Sequence, residues 1–286
     1  MHSKFKIVLQ KRSKLNPPPP MKEYFNANQK LWDAKTPVHL ASEFYDNEAF
    51  LAGKTSLKAD EIADLGDEVA GKSLLHLQCH FGQDTLSWSR MGAKATGIDF
   101  SQKAIEQARK LNDQLELDAT FVQSNVYDLR ENLSGQYDII YTSYGVTTWL
   151  HDLEEWASII NHFLKPGGIF YIMEFHPTLY LFDWDTNKIE FNYFNRGKPY
   201  MEMTEGTYAD PNSGLRNEEY FWCHSLHETM QPLLKQGLQL TDFKEYADTP
   251  YDCFSNLHQL PNGNYQYRPA GDSVIIPHRF SMKMVK

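Results

Sequence analysis

The stretch from Gly71 to Ser101, GKSLLHLQCHFGQDTLSWSRMGAKATGIDFS, restricts the fold more than any other part of the chain. Ser73–Leu77 is a short apolar run and reads as a buried strand. Residues 78–83 form a tight loop containing Gly82. Residues 84–91 carry Leu86, Trp88 and Met91 on a helical pattern, and Gly92 stops that helix. Residues 94–98 are a second strand, with Asp99 at its tip. Strand, loop, helix and strand within about 30 residues predict a right-handed βαβ unit.

Asp99 lies 17 positions after Gly82. A carboxylate at the tip of the second strand can accept both hydroxyls of an adenosine ribose. The loop offers backbone N–H groups and the positive end of the helix dipole, which suit an anionic group. A dinucleotide asks for G-x-G-x-x-G, because its pyrophosphate must approach bare backbone. This loop reads Gln78-Cys79-His80-Phe81-Gly82-Gln83-Asp84, with one glycine and with an acid that repels phosphate. These residues favour a cofactor with an adenosine and no phosphate. They argue against a nucleotide-dependent oxidoreductase.

Further on, Ser101 is an N-cap for a helix over 102–112 with Ala104, Ile105, Ala108 and Leu111 on one face. Residues 119–123 and 137–142 are strands, and 149–163 a helix. Leu164-Lys165-Pro166-Gly167-Gly168 is a turn before a strand over 169–175. Open α/β sheets bind ligands outside the carboxyl ends of their strands. That rule places Ser143, Tyr144 and Gly145, after the fourth strand, beside any site. Glu174 and His176 end the fifth strand.

The phrase HLQCHFGQDTLSWSRMGAKATGIDFS, with the order strand, helix, L-K-P-G-G, strand, resembles the class I S-adenosylmethionine-dependent methyltransferase family. The resemblance covers roughly residues 65–178 and reads as a variant branch with an HLQCHFG loop. Members usually carry (Asp/Glu)-x-Gly-x-Gly-x-Gly. Here His76, Gln78 and His80 replace the acid and the first two glycines, and Gly82 remains. The resemblance implies an α/β fold with a doubly wound, seven-stranded mixed sheet of Rossmann-like methyltransferase type, its last strand over 279–285 antiparallel. It also implies S-adenosyl-L-methionine as cofactor. The implied cofactor-binding residues are Gln78, His80, Gly82, Asp99, Phe100, Asn125, Val126 and Ser143. His80 would meet the methionine moiety with a side-chain donor where a glycine brings backbone. In the family the corner at 124–128 holds the adenine. Asn125 stands where Asp is usual, and its amide oxygen can accept the exocyclic amine. Asp128 is the alternative acceptor, and ordinary turn chemistry accounts for both residues equally.

Tyr144 and His176 are the candidate catalytic residues. A histidine titrates near neutrality and can take a nucleophile's proton. The other reading of His176 is a hydrogen-bonded structural histidine ahead of Pro177. The eleven histidines show no H-E-x-x-H or similar spacing, so no metal is expected.

The expected organisation is a disordered leader over 1–20, a helical cap over 21–56 and a methyltransferase domain over 57–286. An antiparallel β insertion occupies 179–222. The leader is basic and ends in Pro17–Pro20, with Met21 as an alternative start. The cap reads as two short helices parted near Pro37. It holds Tyr24, Phe25, Trp32, Phe44, Tyr45 and Phe50. These rings suit either a cover for the core or a lid over a sulfonium, which aromatic faces attract. Tyr24 and Tyr45 are the lid candidates. The insertion reads as a meander that shapes a pocket or forms a dimer contact.

With 41% hydrophobic and 23% charged residues the chain is of ordinary globular composition. No apolar run reaches the ~18 residues of a membrane span, and the N-terminal patch lacks the form of a signal peptide. Three cysteines give neither a disulfide framework nor zinc spacing and suit a cytoplasmic protein. A net charge of −9 argues against nucleic acid as substrate. The expectation is therefore a methyltransferase acting on a small-molecule acceptor, as monomer or homodimer. The alternative is a non-catalytic protein of the same fold that binds S-adenosylmethionine or S-adenosylhomocysteine, motivated by His76, Gln78 and His80. Segments 24–50 and 179–222 are expected to meet over the site. Tyr24, Tyr45, Tyr144 and His176 should lie near the pocket walls.

Overall fold

The computed structural model describes residues 21–286 apart from 185, 270, 272 and 273. The expected leader over 1–20 lies outside the described residues. Helices α1 (Met21–Leu40), α2 (Asn47–Leu51) and α3 (Ala59–Leu65) precede the first strand. Then follow β1 (Ser73–Leu77), α4 (Gln83–Arg90), β2 (Lys94–Asp99), α5 (Gln102–Gln114) and β3 (Thr120–Gln123). The second half of the sheet adds α6 (Leu129–Asn132), β4 (Tyr137–Ser143), α7 (Leu153–Phe163) and β5 (Leu164–Phe175). After short strands β6 (Phe182–Asp183), β7 (Lys188–Ile189), β8 (Tyr200–Glu205) and β9 (Arg216–Phe221) come α8 (Leu226–Lys235) and β10 (Gln239–Tyr246). A small hairpin, β11 (Leu257–Gln259) with β12 (Tyr265–Tyr267), precedes β13 (Arg279–Val285).

Seven strands form one sheet in the order β10-β13-β5-β4-β1-β2-β3, with β13 antiparallel to both neighbours. Period-two alternation sends successive side chains to opposite faces. Leu75, Leu77, Ile140, Phe170 and Ile172 pack with Trp156, Ile160 and Phe163 of α7 and Leu233 of α8. The alternate set, Leu74, Ile139, Tyr141, Tyr171 and Met173, packs with Leu57, Leu65 and Trp88. Strand order reverses between β1 and β4, so their carboxyl ends open the crevice where such sheets bind ligands. No helix among the described residues is long and apolar enough to cross a membrane.

Several expectations are corrected here. The cap's first helix is a single 20-residue element that runs through Pro37. Pro37 lies in the last turn, so the helix forgoes one bond, to the carbonyl of Asp33, and ends three residues later. The insertion is two separate hairpins, β6–β7 and β8–β9, rather than one meander. The Leu164–Gly168 turn belongs to β5, because the C-terminus holds it. Gly167 N donates to Lys286 O at 2.9 Å, and Lys286 N to Gly168 O at 3.1 Å. A turn over 147–149 precedes α7, which starts at Leu153 under the Asp152 cap, not at Trp149.

Candidate functional site

The loop between β1 and α4 keeps a left-handed backbone at every second residue. Gln78 has φ 57°, His80 φ 51° and Gly82 φ 84°. A non-glycine residue there costs roughly 1–2 kcal/mol, and local bonds hold the shape. Cys79 N donates to Ile98 O at 2.8 Å, Gly82 N to Cys79 O at 3.0 Å, and His80 N to Asp99 Oδ2 at 2.9 Å. The other oxygen of Asp99 accepts Ser101 N at 2.8 Å. Asp99 therefore joins the loop to the start of α5 besides facing the crevice. Burial pushes its carboxyl up to about 6.

Two groups of the loop are left for a ligand. Gln78 donates through Nε2 to Val146 O at 3.2 Å, while its Oε1 has no partner among the described residues. His80 Nε2 faces His39 Nδ1 of α1 at 3.0 Å, while His80 Nδ1 has none. Burial holds both imidazoles well below the usual range, His80 at about 3, so the pair is neutral.

Asn125 and Val126 sit at the end of β3 on the crevice wall, but the Asn125 oxygen already accepts Tyr127 N at 3.1 Å. Asp128 is exposed and does not line the crevice. Ser143 ends β4 and donates to Asp84 Oδ2 at 3.3 Å. Tyr144 and Gly145 follow with φ 21° and 73°. Sequence reasoning missed what holds them: Glu174, fully buried on β5, accepts Val146 N at 2.8 Å, Thr147 N at 3.0 Å and also Gly145 N. An acid at a strand's end was the visible signal; its targets lie almost thirty residues away and were not legible.

Residues from four parts of the chain line one cavity of about 470 Å³. The crevice supplies Gln78, His80, Gly82, Asp99, Phe100, Asn125, Val126, Ser143 and Tyr144. The cap supplies Phe25, Trp32, Phe44 and Tyr45, the insertion Tyr180, Trp184, Phe191 and Tyr208, and the segment after β10 Tyr251 and Phe254. Cap and insertion are bonded to each other. Asn28 pairs with the backbone of Tyr220 on β9, donating to its O at 2.7 Å and accepting its N at 2.9 Å. Lys35 lies 3.5 Å from Glu219, and the Tyr45 and Tyr208 hydroxyls are 2.6 Å apart. The two segments expected over the site do meet there.

His176 and Tyr24 are not among the lining residues. His176 turns to the far edge of the sheet, with Nδ1 2.9 Å from Thr178 Oγ1 and Nε2 3.0 Å from Glu245 Oε1 on β10. A base there cannot reach a proton in the cavity, so His176 is not carried into the function proposed below. Tyr24 packs within the roof, 4.8 Å from the Tyr220 ring. No group of three or more His, Cys, Asp or Glu side chains among the described residues could hold a metal ion.

Beneath the cavity floor, Glu61 of α3 is fully buried and accepts Lys58 N at 2.9 Å and the Tyr141 hydroxyl. Burial, reinforced by the Asp84 charge, raises its carboxyl from 4.5 to about 8. The folded protein then holds this proton more tightly than the unfolded chain does. The resulting stability is present below 4.5 and is lost as pH rises through about 8. Glu61→Gln is expected to remove that part of the slope. Urea titrations at the two ends of the window would show a smaller loss toward alkaline pH than in the unaltered protein. An equal loss would show that Glu61 does not titrate there.

Residues 75–170 match the model of a family described as a methyltransferase domain. An uncharacterized methyltransferase of Synechocystis is 36% identical over 118 residues, covering 39% of this chain and 51% of that protein. A ubiquinone biosynthesis O-methyltransferase of Nitrosococcus oceani is 34% identical over 121 residues, 40% of this chain and 49% of that protein. The chain thus spans about half the length of these curated relatives. Among solved structures, the Burkholderia thailandensis 1,6-didemethyltoxoflavin-N1-methyltransferase superposes with TM-score 0.54 at 14% identity, over 100% of this chain and 97% of that one. An S-adenosylmethionine-dependent methyltransferase from Mesorhizobium loti gives TM-score 0.52 at 18% identity, over 82% and 100%. These two likenesses speak to the fold, and the fold is the seven-stranded one built above. Residues 75–170 thus match a methyltransferase domain, and the sheet around them has the fold of S-adenosylmethionine-dependent methyltransferases, for which the cofactor is S-adenosylmethionine.

Proposed function

We propose that the protein transfers a methyl group from S-adenosylmethionine to a small-molecule acceptor. The observation that carries this reading is the roofed cavity, in which the crevice, the cap and the insertion line one space. The residues present fit the cofactor. Asp99 is a buried carboxylate that can accept ribose hydroxyls, and Asn125 and Val126 line the cavity where the adenine would lie. Gln78 Oε1 and His80 Nδ1 are buried polar atoms that want partners, and the amino-acid end of the cofactor can supply them. When bound, S-adenosylmethionine supplies an electrophilic methyl group on a sulfonium. The protein's own contribution is to hold an acceptor beside Ser143 and Tyr144 and to keep water away. Orientation of this kind is worth about 7–11 kcal/mol at best. The aromatic walls suit both the sulfonium and an apolar acceptor.

The second reading is a non-catalytic protein that binds S-adenosylmethionine or S-adenosylhomocysteine. The left-handed Gln78 and His80 favour it, since they put side chains where the family has bare backbone. Calorimetric titration with S-adenosylhomocysteine tests both, with saturable one-to-one binding expected. Absence of binding overturns the two together. Methyl transfer to any member of a panel of small phenols, amines and thiols then separates the first from the second.

A further inference from the structure

The cavity has a strongly aromatic end. Tyr144 and Tyr251 meet edge to face at 4.8 Å, Phe175 and Phe254 at 4.9 Å, and Trp184 stacks on Phe254 at 4.7 Å. Flat rings of this kind accommodate a flat apolar body. Arg279, whose charge acts on the Tyr144 hydroxyl, is paired with Asp60 at 2.6 Å and Asp248 at 3.2 Å. Lys35 and Lys54, which line the cavity, are held by Glu219 at 3.5 Å and Asp46 at 2.8 Å. Lys58 is different. Its Nζ lies 4.5 Å from the centroid of Tyr251, and no carboxylate forms an ion pair with it among the described residues.

Asp84 stands in the first turn of α4 and lines the same cavity, with Ser143 Oγ at 3.3 Å. Its charge acts on Lys58 and on the hydroxyls of Tyr144 and Tyr251. Tyr251 thus carries the ammonium over its ring and feels the carboxylate's charge at its hydroxyl. The other charged groups that act on Lys58 are Glu61 and Lys54.

We propose that Lys58 and Asp84 are the acceptor-binding pair, and that they select an uncharged, planar aromatic acceptor carrying a phenolic hydroxyl. This deepens the methyltransferase reading and rests on it. An ammonium donates hydrogen bonds and accepts none, and a carboxylate does the reverse. A hydroxyl does both and satisfies the two at once. An arylamine nitrogen, with its lone pair drawn into the ring, serves only the carboxylate. A permanent anion meets Asp84 and a permanent cation meets Lys58, and like charges brought together in a desolvated site are disfavoured.

Three para-substituted toluenes test this: 4-methylphenol, 4-methylbenzoate and 4-methylbenzylamine, titrated near neutral pH into the full chain with and without saturating S-adenosylhomocysteine. The neutral phenol is expected to bind at least about tenfold more tightly than either ion. Asp84→Asn should raise benzoate affinity about tenfold, and Lys58→Met should raise benzylamine affinity by a similar factor. Ions that bind the unaltered protein as well as the phenol does would overturn the proposal without any variant. So would folded variants that leave all three affinities unchanged. Binding of S-adenosylhomocysteine is read in its own titration, so a failure of the methyltransferase reading shows separately from a failure of this one.

Discussion

Asp99→Ala is expected to cost both stability and cofactor affinity. The carboxylate accepts His80 N at 2.9 Å and Ser101 N at 2.8 Å, so truncation leaves two buried donors without partners. Each costs about 1–3 kcal/mol, and the loop before α4 loses its tie to β2. Two charge-assisted bonds to a ribose are lost as well, worth roughly 1.5–3 kcal/mol, or about ten- to a hundredfold in affinity. Thermal unfolding and calorimetry with S-adenosylhomocysteine read the two effects independently. Unchanged affinity in the folded variant would remove Asp99 from the site. A pH series adds a sign. Burial places this carboxyl at about 6, above its ordinary 3.8, so its share of stability is lost as pH rises through about 6. Ribose binding favours the ionised form, so affinity should weaken as pH falls below that value.

Gly82→Ala is expected to be the other severe change. Gly82 has φ 84°, and a Cβ there would stand 2.7 and 2.8 Å from the Phe121 ring and 3.0 Å from Ala108 Cβ. The left-handed backbone costs roughly 1–2 kcal/mol for alanine, and overpacking typically adds about 1–3 kcal/mol. The melting temperature should fall by several degrees, and S-adenosylhomocysteine binding should weaken because the loop shifts. Adding Phe121→Leu should recover part of the loss, since the two sites are in contact and their effects are not additive. Additive losses in the double variant would show that the ring is not the obstacle.

Local patterns were legible where they are self-sufficient. β1 lies where its apolar run puts it, β13 lies where the family resemblance put the last strand, and the Ser-x-x-Glu pattern of Ser225 and Glu228 forms a capping box at the start of α8. Elements that depend on distant partners were not. The unbroken α1 is held by Asn28 on Tyr220 and by Asp33, whose carboxylate accepts Ser101 Oγ at 2.6 Å. Pro37 alone argued for a break. The β11–β12 hairpin is three residues a side and gives no periodic signal. Gln78, His80, Gly82, Asp99 and Ser143 were legible from the loop and the strand ends, and the structure brings them to one cavity. His176 met the same strand-end rule yet faces the other way, because Phe175 beside it lines the cavity and the alternation of extended chain sends His176 toward Glu245 on β10. Lys58 carried no signal, since a lysine before a short helix is common. Asp84 was read as a repellent for phosphate, which is one consequence of the charge now placed in the cavity.

The alternating left-handed residues of the loop bear on how such chains are detected. A signature that counts glycines measures composition, whereas the turn from β1 into α4 is a sequence of torsions. Gln78 and His80 keep the torsions and discard the glycines, with Gly82 retained where the Phe121 ring leaves no room for a Cβ. Steric exclusion thus fixes glycine at one position of three, and at the other two the residue type is open to drift. Each such drift replaces featureless backbone by a functional group, so the same turn can be re-equipped chemically while the fold around it stays constant.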